Sequence, residues 1–447
     1  MELITAEIEK MAFGGAGFGH SGGKALFVPF SAPGDIAEIK VKVEKRSYLE
    51  GELVRLIRPS GMRTSPPCPV FGKCGGCNWQ HLPYREQLQA KEEIFADILW
   101  RNGRVERERI EEIAPAPETF GYRSRVQLKL RLIRGELHMG FYRKGSHFVV
   151  DLPGGCALAH PRINLLLDDL RSVVARFREA DKVPQIDVSV GEDERLELVV
   201  HYIGSRMDEA AEHFWKDIDS LGAAAIFLQT GRKSTLTEIG GREPEPLSYR
   251  LPDPYGLSSS GYMLRFSHGG FSQVNYRQNL LLVETVAEWA TLKGGERVLD
   301  IYCGNGNFSI PLSGKASSIL GVEGYPSSVE SATRNCAANG VGNAFFQCSD
   351  AVHALERFIS RGESFDLVLL DPPRTGAKEA AVLIPEVGAK RIVYVSCDPV
   401  TLARDLSILK KKGYEVIRVR PVDMFPQTYH IESVTLLEHG KSRKYEP

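Results

Sequence analysis

Arg297-Val298-Leu299-Asp300-Ile301-Tyr302-Cys303-Gly304-Asn305-Gly306-Asn307-Phe308 is the stretch whose reading decides the fold. A short apolar run ends in an acid and breaks into two glycines, which let the backbone approach a ligand closely at a helix start. Similar runs follow at Ser318-Ile319-Leu320-Gly321-Val322-Glu323, Phe365-Asp366-Leu367-Val368-Leu369-Leu370 and Arg391-Ile392-Val393-Tyr394-Val395, with helical spacing between them. Near-continuous apolar strands alternating with helices predict a sheet covered on both faces, a doubly wound Rossmann-like α/β domain. Such sheets bind ligands beyond the carboxyl ends of their strands. The residues after each strand are therefore the functional candidates.

Taken in order, those ends spell a cofactor site. A dinucleotide fingerprint wants a third glycine where Ser309 stands, which weakens a pyrophosphate reading. The second strand ends in Glu323, placed to hold two ribose hydroxyls. The third run, Ala344-Phe345-Phe346-Gln347-Cys348, is followed by Ser349-Asp350. Asp350 either reaches an adenine amino group or caps the following helix. A Gly-x-Gly loop, then Glu, then Asp after successive strands is the layout of an S-adenosylmethionine site.

The remaining ends carry the chemistry. The fourth strand ends in Asp371-Pro372-Pro373-Arg374. Base amino-methyltransferases often carry an aromatic after the prolines, and RNA cytosine-C5 enzymes a cysteine; this chain has neither there. The fifth ends in Ser396-Cys397-Asp398-Pro399, and a cysteine at a strand end beside a helix start is where a thiolate is stabilised and exposed. A buried structural cysteine is the alternative. Carbon 5 of uracil is too weakly nucleophilic to take a methyl from a sulfonium unaided. Addition of a soft nucleophile at carbon 6 creates an enolate and activates carbon 5. That scheme needs a cysteine, a general base and a donor for the enolate. Glu432, in His430-Ile431-Glu432, is placed to be the base. Gln273, in Phe271-Ser272-Gln273-Val274-Asn275, supplies an amide that can face donor or base.

Upstream, residues 1–58 read as a small barrel: Ala25-Leu26-Phe27-Val28-Pro29-Phe30 and Ala37-Glu38-Ile39-Lys40-Val41-Lys42-Val43 alternate between Gly, Pro and Asp turns. Residues 59–82 form a Pro-, Gly- and Cys-rich loop, and residues 84–100 have helical apolar spacing. Residues 122–150 read as paired strands around Arg134-Gly135-Glu136, carrying Arg123, Arg125, Lys129, Arg131, Arg134, Arg143 and Lys144 among Tyr122, Phe141 and Tyr142. Basic residues interleaved with aromatics suit nucleic-acid contact; a solvated sheet face fits equally well. Residues 161–268 alternate short helices and strands without a catalytic motif.

The chain has 447 residues, 43% hydrophobic and 25% charged, with formal net charge -1. That length suggests roughly three domains at about 150 residues each, and the charge excludes a polycation, so nucleic-acid contact must come from local patches. The start Met1-Glu2-Leu3-Ile4-Thr5-Ala6-Glu7 lacks the basic and apolar regions of a signal peptide. No run approaches the length of a membrane span, so a cytoplasmic location without membrane association is expected. There the eight cysteines are ligands, catalysts or core thiols rather than disulfides.

Phe271 to Asn275, Asp300 to Phe308, Asp371 to Arg374, Ser396 to Pro399 and His430 to Glu432 stand in the order of the RNA uracil-5-methyltransferase family, which the whole chain resembles. Residues 1–58 resemble a TRAM domain, an OB-like RNA-binding module. The family modifies uridines of 23S rRNA or tRNA. The resemblance implies Cys397 as nucleophile and Glu432 as proton acceptor. It implies S-adenosylmethionine contacts at Gln273, Tyr302, Asn307, Glu323 and Asp371, with Asp350 added from its position. Asp398 departs from the family, where many relatives carry Asn. The expected domains are a TRAM-like unit (1–58), a central α+β domain with the cysteine cluster (59–268) and a methyltransferase domain (269–447). The expected partner is RNA, 23S rRNA before tRNA, bound by a monomer. Competing readings are a non-catalytic RNA-binding factor and an amino-methyltransferase; Arg374 and the Ser396-Cys397 pair argue against the latter.

Cys68-x5-Cys74-x2-Cys77 with distant Cys156 makes a second group of thiols. Zinc and iron–sulfur both accept four cysteines, and spacing does not choose between them. Resemblance to family members with a 4Fe–4S cluster implies iron–sulfur in a structural or RNA-shaping role.

Overall fold

The computed structural model describes residues 3–231, 235–241 and 244–440. The first strands, β1 (Leu3–Met11), β2 (Ala16–Ser21), β3 (Lys24–Pro29), β4 (Ile36–Glu44) and β5 (Tyr48–Arg58), form a closed barrel in the order β1-β2-β3-β5-β4. Alternation along the strands turns Ala6, Ile8, Leu26, Val28 and Ile39 inward into one core. Closure leaves no unpaired edge.

A second sheet runs β12-β11-β10-β9-β6-β7-β8. Its strands are β6 (Arg125–Ile133), β7 (Glu136–Tyr142), β8 (Val149–Asp151), β9 (Gln185–Val190), β10 (Leu196–His201), β11 (Ala223–Gln229) and β12 (Leu236–Glu238). The β6–β7 hairpin turns at Arg134 and Gly135, with φ of 52° and 88°, the left-handed pair that suits a two-residue hairpin. The helices Pro161–Arg176 and Met207–Lys216 share a core with this sheet.

The basic stripe read from residues 122–150 divides here. Arg125 is a structural cation, paired with Asp187 at 2.9 Å and donating to the Gly269 carbonyl. Lys129 bonds Gln185 and lies over the Tyr142 ring. Arg123 is drawn in among the cysteines. Arg131, Arg143 and Lys144 remain exposed.

A short antiparallel ribbon, β13 (Ser248–Leu251) and β14 (Tyr262–Arg265), precedes the third sheet. That sheet contains β15 (Arg297–Ile301), β16 (Ser318–Glu323), β17 (Ala344–Cys348), β18 (Leu367–Leu370), β19 (Arg391–Ser396), β20 (Tyr414–Val422) and β21 (Glu432–His439). Its order is β17-β16-β15-β18-β19-β21-β20. β15 to β19 are parallel, and β21 runs antiparallel between β19 and β20. The reversal between β15 and β18 opens the crevice in which such sheets bind ligands.

Packing crosses the linear boundary expected at residue 268. Trp79, Leu82, Phe95, Leu99 and Ile110 share a core with Leu299, Val368 and Tyr394 on one face of the third sheet. Leu247, Leu251 and Leu264 share the core of the other face with Leu282, Val393 and Val434. Among the described residues no helix is long and apolar enough to cross a membrane.

Candidate active site

The loop after β15 is held open by its backbone. Tyr302, Gly304 and Gly306 all have positive φ, of 70°, 55° and 89°. A Cβ on Gly306 would press on the end of the Ile310 side chain at 2.9 Å, but it is the positive φ that makes a side chain there strained. Tyr302 carries the same left-handed backbone without glycine's freedom, the kind of strain found at ligand-clamping positions. Its phenol is pushed up to about 12 by burial and by the nearby Asp350. Glu323, at the end of β16, accepts from Gly304 N at 3.1 Å and from Tyr325 N at 2.9 Å, which fixes its carboxylate against the loop. Asn307 forms a reciprocal amide pair with Asn279, both bonds 2.9 Å, and accepts from the Tyr249 hydroxyl at 3.1 Å. Its side chain thus secures the loop to the helix Tyr276–Ala290 and to β13. Asp350 caps the helix Ala351–Ser360, accepting from Val352 N at 2.9 Å and His353 N at 3.2 Å.

Gln273 stands apart from these residues. It lines a cavity of about 350 Å³ together with Tyr122, Ser124, Tyr249 and Asn279. Two of those neighbours, Tyr249 and Asn279, bond Asn307, so this cavity and the glycine loop share a wall.

Four groups meet at the ends of β18, β19 and β21. Asp371 follows β18 and its carboxyl is pushed up to about 7 by burial and by Glu323. Glu432, the first residue of β21, is buried; burial and Asp371 raise its carboxyl well above the ordinary range, against the pull of Arg374. Cys397 follows β19. It departs from the expected ready thiolate, because burial, Glu432 and Asp371 push the half-buried thiol up to about 12, with Arg374 alone among its charged neighbours opposing. The helix start that was to stabilise an anion is already satisfied: Asp398 accepts from Val400 N and Thr401 N, each at 2.9 Å. The departure to Asp at position 398 therefore serves as a helix cap.

The turn that delivers Glu432 is fixed from the far side. Gln427 has φ of 67°, and its side chain and backbone are clasped by Gln87: Gln87 Nε2 donates to Gln427 Oε1 at 2.9 Å, and Gln427 N donates to Gln87 Oε1 at 3.0 Å. The Gln427 carbonyl accepts from Asn78 N at 3.0 Å and Trp79 N at 3.1 Å, directly after Cys77. Lys91 Nζ meets Asp423 at 2.5 Å and donates to the Phe425 carbonyl at 3.1 Å. Gln87, Lys91, Ile94 and Phe95 form the buried stripe of the helix Tyr84–Ile98.

The four early cysteines also come together. Cys68, Cys74, Cys77 and Cys156 line one cavity of about 60 Å³. Burial pushes Cys74 up to about 11 and Cys77 up to about 12 and raises Cys156, with neighbouring thiols adding to each. Gln80 Nε2 donates to Cys77 Sγ at 3.1 Å and Gly76 N to Cys74 Sγ at 3.4 Å. Among the described residues no group of three His, Cys, Asp or Glu side chains is drawn together as a metal site.

A family model described as tRNA (Uracil-5-)-methyltransferase matches residues 254–440, and a TRAM domain model matches residues 2–54. The chain is 34% identical over 441 residues to the 23S rRNA (uracil(1939)-C(5))-methyltransferase RlmD of Azoarcus sp., covering 98% of this chain and 100% of the relative. The chain belongs to the RNA uracil-5-methyltransferase family. The relative of the same name from Acidithiobacillus ferrooxidans is 36% identical over 436 residues, 96% of each chain. Among solved structures, Pyrococcus abyssi tRNA (uracil-54, C5)-methyltransferase in complex with S-adenosyl-L-homocysteine matches with a TM-score of 0.74 at 26% identity, covering 97% of this chain and 99% of that one. The closed barrel is thus the TRAM domain of a uracil-5-methyltransferase family member, and the third sheet its methyltransferase fold. Two roles in this family member escaped the sequence, although Arg374 itself was singled out. Arg374 is the cation facing Cys397 and Glu432; its signal was a base directly after Asp-Pro-Pro at a strand end. Lys91 was signalled by a charge at i+4 from Gln87 and i−4 from Phe95 on an apolar stripe.

Proposed function

We propose that this family member transfers a methyl group from S-adenosylmethionine to carbon 5 of a uridine in 23S rRNA, through a covalent bond between Cys397 and carbon 6. The observation that carries this reading is the meeting of Cys397, Glu432, Asp371 and Arg374 at the ends of three adjoining strands. Tyr302, Asn307, Glu323, Asp350 and Asp371 line or brace the cofactor side, with Gln273 approaching from the adjoining cavity. When bound there, S-adenosylmethionine supplies an electrophilic methyl and a positive charge.

Cys397, its thiol proton released to solvent, adds its sulfur to carbon 6, and the electrons of the carbon 5–carbon 6 double bond move to the carbonyl oxygen at carbon 4. Carbon 5 then accepts the methyl. Glu432, ionised, removes the carbon 5 proton; those electrons restore the double bond and expel the Cys397 thiolate. Arg374 favours the anionic forms that both residues must adopt. The uridine must leave its stack to reach Cys397, which suits a loop or single-stranded site. Relatives at 34% and 36% identity that carry the 23S rRNA name support that target over tRNA.

The test is incubation of rRNA and tRNA with labelled methyl donor, followed by mass spectrometry for 5-methyluridine. Mapping of that base in both RNAs from cells lacking the gene identifies the target. Loss confined to tRNA would replace 23S rRNA, and full activity in Cys397→Ala would end the covalent mechanism.

The cysteine quartet fits a 4Fe–4S cluster. Cys68, Cys74, Cys77 and Cys156 line one cavity, so four thiolates from two distant segments are at hand, as such a cluster requires. N–H donors already reach two of the sulfurs, as suits ionised cluster ligands. Arg123 adds a buried Nε that has no hydrogen-bond partner, on the wall of the same cavity. Such a cluster would join the loop at residues 68–77 to the second sheet. Iron and acid-labile sulfide in anaerobically purified protein test this; zinc alone would overturn it.

A further inference from the structure

Arg123 is a guanidinium in an unusual place. It lines the thiol cavity, its Nε is sealed from solvent without a hydrogen-bond partner, its guanidinium shares a hydrogen bond with the Tyr122 hydroxyl, and Cys74, Cys77, Cys156 and His430 are its other ionisable neighbours. Among the described residues no carboxylate forms an ion pair with it, whereas the next arginine, Arg125, is paired with Asp187. A buried charge without a counter-charge is costly. Ionised cysteines holding a cluster would remove that cost.

The backbone of Arg123 is bonded to two distant parts of the chain. Its N–H donates to the Leu158 carbonyl at 2.8 Å and its carbonyl accepts from His160 N at 2.9 Å, which fastens it to the segment carrying Cys156. On its other side Arg123 bridges Asn275, and Ser124 N donates to the Val274 carbonyl at 2.9 Å. Those are the residues that follow Gln273. Asn275 in turn caps the helix Tyr276–Ala290 and donates to the Met424 carbonyl at 3.0 Å.

We propose that Arg123 is the counter-charge of the group held by the cysteine quartet and that its backbone ties that group to the Gln273 segment, so that loading the quartet orders the methyl-donor site. This rests on the iron–sulfur reading above. Arg123 is thus a positioning residue; nothing places it in contact with the reacting atoms.

The experiment uses the full chain, purified anaerobically as wild type, Arg123→Lys and Arg123→Gln. Three quantities are read: iron and sulfide per chain, the midpoint potential of the cluster by spectroscopically monitored titration, and S-adenosylmethionine affinity by equilibrium dialysis without RNA. Loss of the positive charge is expected to move the midpoint of Arg123→Gln to more negative potential, with Arg123→Lys remaining near wild type. Removal of iron from wild type by chelation is expected to weaken S-adenosylmethionine binding several-fold, and reconstitution to restore it. Soluble, loaded Arg123→Lys beside insoluble Arg123→Gln also supports the charge requirement. An unchanged midpoint in loaded Arg123→Gln overturns the counter-charge, and unchanged affinity after chelation overturns the coupling. Wild type that takes up no iron overturns the iron–sulfur reading itself, an outcome distinct from the other two.

Discussion

Lys91 and Asp423 meet at 2.5 Å with both side chains fully buried, 332 positions apart in the chain. The pair clamps the helix Tyr84–Ile98 onto the turn that leads to Glu432. Removing one partner leaves an uncompensated charge in the core, a loss of about 3–5 kcal/mol. Lys91→Met is therefore expected to lower the melting temperature sharply. The double variant Lys91→Met/Asp423→Leu is expected to recover much of it, since apolar replacement of a whole buried pair is often neutral. Thermal unfolding of the three proteins checks this, and a double variant no better than Lys91→Met would refute it.

Glu432 and Cys397 act at opposite ends of the proposed cycle, so their variants should fail differently. Cys397→Ala is expected to bind S-adenosylmethionine and form no covalent complex with RNA. Glu432→Gln is expected to add to the ring and accept the methyl, then to stall with the carbon 5 proton in place. Labelled RNA should then migrate with Glu432→Gln on a denaturing gel and not with Cys397→Ala. Absence of a trapped complex in Glu432→Gln would assign proton removal elsewhere.

Arg374 opposes the burial that pushes the Cys397 thiol up to about 12. Its removal raises the thiol further. Arg374→Leu is expected to lose rate at neutral pH, roughly tenfold for each unit gained by the thiol, and to shift its activity profile to higher pH. Arg374→Lys is expected to keep the profile closer to wild type. A pH–rate series on the three proteins decides; a uniform drop without a shift would make Arg374 a contact for RNA alone.

Asp371 has a folded pKa of about 7 against an ordinary value of 3.8. Between those values the folded protein holds a proton that the unfolded chain has released, so stability falls as pH rises from about 4 to about 7 and then levels. Asp371→Asn is expected to stabilise the protein at pH 8 and to change it little at pH 4. Asp300, also raised to about 7, and Glu432, raised well above its ordinary range, leave a residual slope. Equal effects of Asp371→Asn at both pH values would show that the carboxyl is ionised throughout.

The five parallel strands were legible because each is an almost unbroken apolar run, such as Leu367 to Leu370, all buried. Their ends named Glu323, Asp371 and Cys397 for the same reason: in a sheet of this kind function follows the last apolar residue. What the pattern leaves open is long-range partnership. Lys91 on a helical stripe marks a buried face without marking Asp423 as its partner. The thiol of Cys397 looked activated because its helix start was visible, whereas the carboxyls of Glu432 and Asp371 reach it only through the fold. Asp350 shows the converse: its capping role was readable locally, and the structure adopts it. Within the basic stripe, Asp187 takes up Arg125 and the cysteines surround Arg123, partners that the local pattern does not mark.

β21, which begins at Glu432, has neighbours on both sides, β19 and β20. Interior strands exchange their amide hydrogens only through large-scale opening. The proposed base thus stands at the start of a strand held from both sides, while Cys397 and Arg374 sit in the connections after β19 and β18. Whatever motion admits and releases a nucleotide is left to those connections, with Glu432 as the fixed point against which they move.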